Sequence, residues 1–373
     1  INGNLSLDTC PTVISGGTVN GYIDISDTNT VTITGGTFNN IILNNCGTVE
    51  ISGGTFTSSN DVIGLSGCGD TAISGGTFSG SVGINVYSID SGKSVSISGD
   101  AEIMGTLYGV YGSSSAIIIS GKDVAISGEY GLYVAGGCTV TVSGGTITGN
   151  SYGSIFINGG ALTLTGGTIM NTTNESENYG IYIQEGPTNN EITSTEDLVI
   201  SAHAPLFYKG SSCFDSLPGP QKLAVGETKY VRVMGYDTSE FDYTVDTENT
   251  SAELNASKEN STTFPIAPTA AGDYVLVLSG RKSGEDAFLK LTIPVEVVYS
   301  LTYDANGGTG TAPAKEYLDA AETFTTAPWN TFTPPPGKQF KEWNTAADGT
   351  GTAYSANTTV AMPANNLTLY AIW

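Results

Sequence analysis

The chain of 373 residues is poor in positive charge: 13 Lys and Arg stand against 36 Asp and Glu, and with a single His the net charge is −23. The deficit is deepest over residues 1–205, where only Lys93 and Lys122 oppose 17 acids. Residues 206–300 carry a net −5 and residues 301–373 a net −3. Every part of the chain therefore repels a polyanion, which excludes nucleic acid as a partner. A long apolar run is missing as well, with nothing near the ~18 residues that a membrane-spanning helix needs. The chain opens on Ile1, without Met or a charged leader, and so reads as a trimmed or mature piece. Helical periodicity is also lacking. With charged residues at only 13%, 49 Gly and 19 Tyr, the composition fits a turn-rich all-β protein rather than a disordered or helical one.

Cysteine is scarce and odd in number, at five. Cys46 and Cys68 each precede a repeat motif by five residues, and Cys10 and Cys138 by four. Equivalent positions in stacked coils form a ladder whose side chains run parallel, a poor geometry for disulfides. These residues are expected as small packing groups. The oxygen-ligand spacing of an EF-hand or of the calcium-binding nonapeptide repeat is absent, so the acids read as solubility. No cofactor is expected, with Ca²⁺ as the weaker alternative.

What is abundant is a repeat. Ile14-Ser15-Gly16, Ile33-Thr34-Gly35, Ile51-Ser52-Gly53, Ile73-Ser74-Gly75, Ile97-Ser98-Gly99, Ile119-Ser120-Gly121, Val142-Ser143-Gly144 and Leu164-Thr165-Gly166 follow one another at 18 to 24 residues. Another apolar residue lies two positions earlier in most coils, as in Val31/Ile33 and Val95/Ile97, which is the alternation of a half-buried strand. A second Gly and then Thr come next in most coils, followed by Val19, Phe38, Phe56, Phe78, Ile147 or Ile169 on a second inward face. A third short strand precedes the motif, as in Gly131-Leu132-Tyr133-Val134 and Gly180-Ile181-Tyr182-Ile183. Three strands per coil predict a right-handed parallel β-helix over residues 1–205, a rod about 38 Å long at about 4.8 Å per coil. Leu198-Val199-Ile200-Ser201 reads as a last, degenerate coil.

Beyond a linker at Leu217-Pro218-Gly219-Pro220, alternating strands over 206–299 predict a small β-sandwich. Ala270-Ala271-Gly272-Asp273-Tyr274-Val275-Leu276-Val277 resembles the Gly-Xaa-Tyr strand opening of bacterial immunoglobulin-like domains. In residues 300–373, Leu301-Thr302-Tyr303-Asp304-Ala305-Asn306-Gly307-Gly308-Thr309, Phe340-Lys341-Glu342-Trp343 and Asn366-Leu367-Thr368-Leu369-Tyr370-Ala371-Ile372-Trp373 together resemble the internalin-type B-repeat. That family, a small β-grasp-like module, usually has Gly where this chain has Lys341-Glu342. The resemblance implies an extracellular, wall-associated bacterial surface protein in which such modules are spacers or adhesive units, and it implies no catalysis. Without it, Asn306-Gly307-Gly308 reads as a tight turn, Trp343 and Trp373 as core anchors, and Pro334-Pro335-Pro336 as a stiff connector.

Parallel β-helices also include pectate lyases and polygalacturonases. A lyase needs a base and a cation site for acidic sugars, whereas residues 1–205 hold no Arg, two Lys and only His203. A hydrolase needs two facing carboxylates about 5–9.5 Å apart. Asp24 with Asp27, Asp61 with Asp70, and Asp100 with Glu102 are the nearest candidates, and each also reads as a pair of solvated turn acids. No residue is assigned a catalytic or metal-binding role, and His203 reads as structural.

The predicted ligand face is aromatic. Tyr108, Tyr130, Tyr152 and Tyr179 each precede Gly, and Tyr111, Tyr133 and Tyr182 follow three residues after one of them. Where Leu132 and Val134 point inward, Tyr133 points outward, so a Tyr stripe on the later coils is expected. It suits a glycan or a protein partner. The competing expectation is that these rings stack on one another or lie beneath the polar stretch Asn171 to Asn178. At Ser154-Ile155-Phe156 a one-residue slip would reverse which side chain faces out. The sequence thus points to a non-enzymatic bacterial cell-surface protein, adhesive or binding a host or dietary glycan or a surface protein. A polysaccharide-active enzyme and a passive spacer are the alternatives.

Overall fold

The computed structural model describes residues 1–173, 178–185, 190–202, 204–209, 211–214, 216–233 and 240–373. The chain is all-β in character, with 58% of it in strands, and contains a β-solenoid of about nine turns. The only helical turn among the described residues is a 3₁₀ turn at Ala252–Leu254. His203 lies outside the described residues, as do residues 174–177 of the polar stretch.

Three parallel sheets make the rod, and each buries one or two columns of equivalent residues. On the motif sheet, Ile33, Ile51, Ile73, Ile97, Ile119, Val142 and Leu164 stand in register from coil to coil, each fully buried. The second sheet stacks Phe38, Phe56 and Phe78, with Phe56 and Phe78 parallel at 4.7 Å, and then continues through Ile103, Ile126, Ile147 and Ile169. The third sheet buries two columns, of which one runs Ile23, Ile41, Ile63, Ile84, Val110, Leu132, Ile155 and Ile181. Period-two alternation thus places Ile, Val and Phe inside on all three sheets.

The corners explain the Gly pair. In most coils the second Gly takes positive φ, as at Gly54 (115°), while in the coil of Ile97 it is the first, Gly99, at 64°. A Cβ on Gly99 would lie 2.0 Å from the Ser74 carbonyl oxygen of the preceding coil, so only Gly fits. A second corner places Asp27 and Asn45 at φ 52° and 50°, a region these side chains tolerate. Asn45 Nδ2 there donates to Asp27 Oδ1 at 3.1 Å. Cys46, Cys68, Cys138 and Cys213 are buried and unbridged, whereas Cys10 is exposed rather than packed. Burial pushes the Cys138 and Cys213 thiols up, as it does for an inert packing group.

On its C-terminal side the motif sheet does not end on a free edge. One 18-residue strand, Ala287–Asp304, pairs in parallel with Asn190–Thr193, so Leu291 takes the next position in the motif column after Ile192. The same strand pairs antiparallel with Gly272–Lys282 and parallel with Gln221–Ala224. Beyond Val298 it pairs with Glu316–Leu318 and Leu367–Ile372 of the C-terminal module. A single hydrophobic core therefore runs from Val19 to Val297, and a second surrounds Trp343. Trp343 is wholly buried with its indole N–H on the Ala327 carbonyl at 2.8 Å, and the Trp373 N–H donates to Ala305 at 3.0 Å. Asn306 and Gly307 form the expected turn with positive φ, and Lys341 N–H bonds the Ile372 carbonyl.

Asn190 joins rod to cap. Its side-chain oxygen accepts from Leu162 N–H at 3.0 Å and its amide donates to the Phe288 carbonyl at 3.2 Å, with the residue 2% exposed. Asn190→Leu strands both partners, at about 1–3 kcal/mol each. Chemical denaturation is expected to show a stability loss of that size, whereas an unchanged midpoint would mean that the cap is held by apolar contact alone.

Candidate functional site

The outward column of the third sheet carries the aromatic residues. Asn85, Tyr111, Tyr133, Phe156 and Tyr182 occupy equivalent positions in successive coils. From Tyr111 onward the rings stack in parallel, at 5.4, 5.0 and 4.9 Å with interplanar angles of 15°, 13° and 5°. A second column sets Tyr108 beside Tyr130 at 6.0 Å, in contact with Tyr111 and Tyr133. At the far end Tyr152 and Tyr179 both touch Tyr182. All seven tyrosines singled out from the sequence thus fall in one contiguous ring network.

Phe156 belongs to that network and is absent from the sequence-based set. Ile155 and Ile157 point inward, which fixes Phe156 outward, and neighbouring rings cover it to 8% exposure. Plain alternation through Ile155-Phe156-Ile157 is the signal that finds it. The stacking also has a cost for recognition, because Tyr133 and Phe156 spend both ring faces on their neighbours. Tyr152, at 51% exposure, keeps much of its surface in water. Tyr179 is nearly buried, with Asn171 Nδ2 on its carbonyl.

Where the network begins stands a polar cluster. Asp61 Oδ2 accepts from Asn85 Nδ2 at 2.7 Å and from the Tyr87 hydroxyl at 2.9 Å. The Tyr87 ring leans back over Gly64 of the preceding coil, where a side chain would meet it, and remains 52% exposed. Asn85 Oδ1 is the one buried side-chain polar atom without a hydrogen-bond partner among the described residues. Such an atom is rare in folded proteins and marks a place where a donor belongs. Residue spacing gave no hint of this cluster, because Asp61, Asn85 and Tyr87 come together only through coil stacking.

Four of the six candidate carboxylates hydrogen-bond to groups outside their own pair. Asp24 accepts from the Ser26 hydroxyl and Asp27 from Asn45. Asp61 is engaged as above, and Asp70 binds Lys93 at 2.9 Å with Ser94 N–H. No hydrogen bond joins the two members of any of the three pairs among the described residues. No group of three or more His, Cys, Asp and Glu with metal-ligating placement occurs among them either.

Electrostatics sets the face apart. Loss of hydration pushes the Tyr108 and Tyr130 phenols up, with neighbouring Tyr and Glu129 adding to it and a Ser151 hydrogen bond opposing it at Tyr130. Loss of hydration also raises Tyr87, followed by the Asp61 carboxylate that its hydroxyl bonds. Among the described residues no Lys stands over any of these rings, and the cation–aromatic contacts lie instead at Tyr208, Phe241 and Tyr317.

Residues 299–372 match the family model of the Listeria-Bacteroides repeat domain. That is the segment around Trp343, and with the β-solenoid it marks the chain as similar to bacterial surface repeat proteins. Such repeats are typical of extracellular or surface bacterial proteins, and no helix among the described residues is long and apolar enough to cross a membrane. No curated protein matches the chain significantly.

Two expected outcomes follow from the stacking. Tyr133→Ala removes a ring packed on both faces and is expected to cost about 2–3 kcal/mol, whereas Tyr152→Ala stays within about 0.5 kcal/mol. Urea denaturation of both variants checks this. The raised phenols add a pH dependence: the folded state holds the Tyr108 and Tyr130 protons more tightly than the unfolded state, whose value is about 10. Their contribution is fully present below that value and is lost as the pH climbs through the raised one. Denaturation midpoints should fall on going from pH ~8 to pH ~11, less steeply in Tyr108→Phe.

Proposed function

We propose that the chain is a non-enzymatic, extracellular bacterial surface protein whose rod binds an uncharged glycan on its tyrosine sheet. The middle segment, read as an immunoglobulin-like sandwich, and the C-terminal module serve as the stalk toward the cell wall. The observation that carries this reading is the unpartnered Asn85 carbonyl beside the Asp61 carboxylate, at the free end of the aromatic network. Both groups are acceptors, so they call for hydroxyl donors, which a sugar supplies in neighbouring pairs. The acidic rod disfavours uronic and other anionic sugars, and the half-exposed Tyr87 and Tyr152 rings offer apolar platforms for a neutral one.

The Tyr87 ring borders this pair of acceptors through its hydroxyl. That ring is tethered through one hydrogen bond to Asp61, which a ligand hydroxyl can replace. A host or dietary polysaccharide fits this chemistry, and adhesion is its consequence for the cell.

The ring stacking itself favours a second reading, a passive spacer whose tyrosines are a stiffening spine and bind nothing. Glycan arrays with neutral and acidic oligosaccharides separate the two. The adhesive reading expects neutral ligands to be retained by the wild type and weakened about tenfold or more by Asp61→Ala or Tyr87→Ala, the loss of a charge-assisted hydrogen bond or a platform. These positions are better probes than Tyr111, Tyr133 or Tyr182, whose removal breaks the stack. Absence of any glycan binding leaves the spacer.

A further inference from the structure

The C-terminal module holds a feature that neither its own core nor the rod explains. Trp329 is 64% exposed, among the highest values for any large apolar side chain of the described residues. It sits in a short turn pinned from within: Thr331 directs both its backbone N–H and its hydroxyl at the Pro328 carbonyl, at 3.1 and 2.7 Å. Pro334-Pro335-Pro336 stiffens the chain just beyond. The indole is therefore held out in water by a rigid support, although its burial would be worth roughly 25 cal/mol for each Å² of apolar surface covered.

The indole forms one wall of a cleft of about 380 Å³. Phe332, Pro334 and Phe340 make its floor and sides apolar, and Asn330 and Gln339 bring two amides to it. Neither amide makes a side-chain hydrogen bond among the described residues, and no lining residue is charged even though Lys338 and Lys341 flank the segment. Each amide therefore offers a free carbonyl and a free NH₂ beside an aromatic plane.

We propose that this cleft is a second, separate binding site that takes one uncharged sugar ring, its apolar face on the Trp329 indole and its hydroxyls on the Asn330 and Gln339 amides. Three observations select that ligand. The volume lies at the small end of the ~300–1,000 Å³ typical of ligand sites and suits a ring or two. The uncharged lining in a chain of net charge −23 gives an acidic sugar nothing to pair with. A proline-rich peptide, the other usual guest of an aromatic cleft, offers only carbonyl acceptors along proline and would leave both amide carbonyls unmet. Sugar hydroxyls both donate and accept, and so can satisfy all four amide groups.

The three tryptophans make the test direct. Trp343 is wholly buried and the Trp373 N–H is tied to Ala305, so acrylamide quenching of the full chain reports chiefly on Trp329. A panel of neutral oligosaccharides based on glucose, mannose, galactose and N-acetylglucosamine is titrated against that quenching. At least one is expected to shield the fluorophore. Because Trp329 is the reporter, the binding residues are tested by the Asn330→Ala/Gln339→Ala double variant, which should weaken the shielding about tenfold or more while leaving ligand-free quenching unchanged. The Asp61→Ala variant should keep it intact, which separates this site from the rod. No shielding by any sugar, shielding by a proline-rich peptide in place of sugars, or undiminished shielding in the double variant would each overturn the proposal.

Discussion

Successive coils of the rod lie about 4.8 Å apart, so each side chain packs chiefly on the residue one full turn away. That spacing governs nearly everything else in the molecule. It makes like sit on like, as in the column from Ile33 to Leu164 or the stack from Phe38 to Phe78. It demands Gly where one corner crosses another, as at Gly99. On the outer surface it turns scattered tyrosines into a continuous array, and it brings Asp61 of one coil under Asn85 and Tyr87 of the next.

The same constraint sets how far the sequence could be read. Motif spacing revealed the inward columns because apolar alternation and Gly corners recur within each coil and need no knowledge of neighbours. The Tyr positions were legible for the same reason, down to the outward direction of Tyr133 and Tyr182. Phe156 required the phase of one ambiguous coil. The cluster at Asp61 was illegible, since Asp61 lies more than twenty residues before Asn85 and Tyr87 and shares no motif with them. Of the two expectations for the tyrosines, exposed stripe and mutual stacking, the central rings follow the second, and of the seven only Tyr152 is more than half exposed.

The stacked array and the two open sites differ in physical character. Rings such as Tyr133 gain stability from each other, about 0.5–1.5 kcal/mol per pair, and are poorly placed to give up a face. Tyr87 and Trp329 are held in water with their contacts unfilled, one beside an unpaired carbonyl and the other beside two unpaired amides. Were both proposed sites to engage one polymer, the second contact would raise the effective concentration of the first.

The strand Ala287–Asp304 has a mechanical meaning. It is paired at one end to the last turn of the rod and at the other to the C-terminal module, partly in parallel register. Tension applied between the rod and the C-terminal module would load those parallel hydrogen bonds along the strand, so that they share the strain and yield together. A flexible tether would instead extend under the same pull and let the rod swing. One strand thus carries the pairing from the last turn of the rod into the C-terminal module, so tension along it would pass between the two without slack.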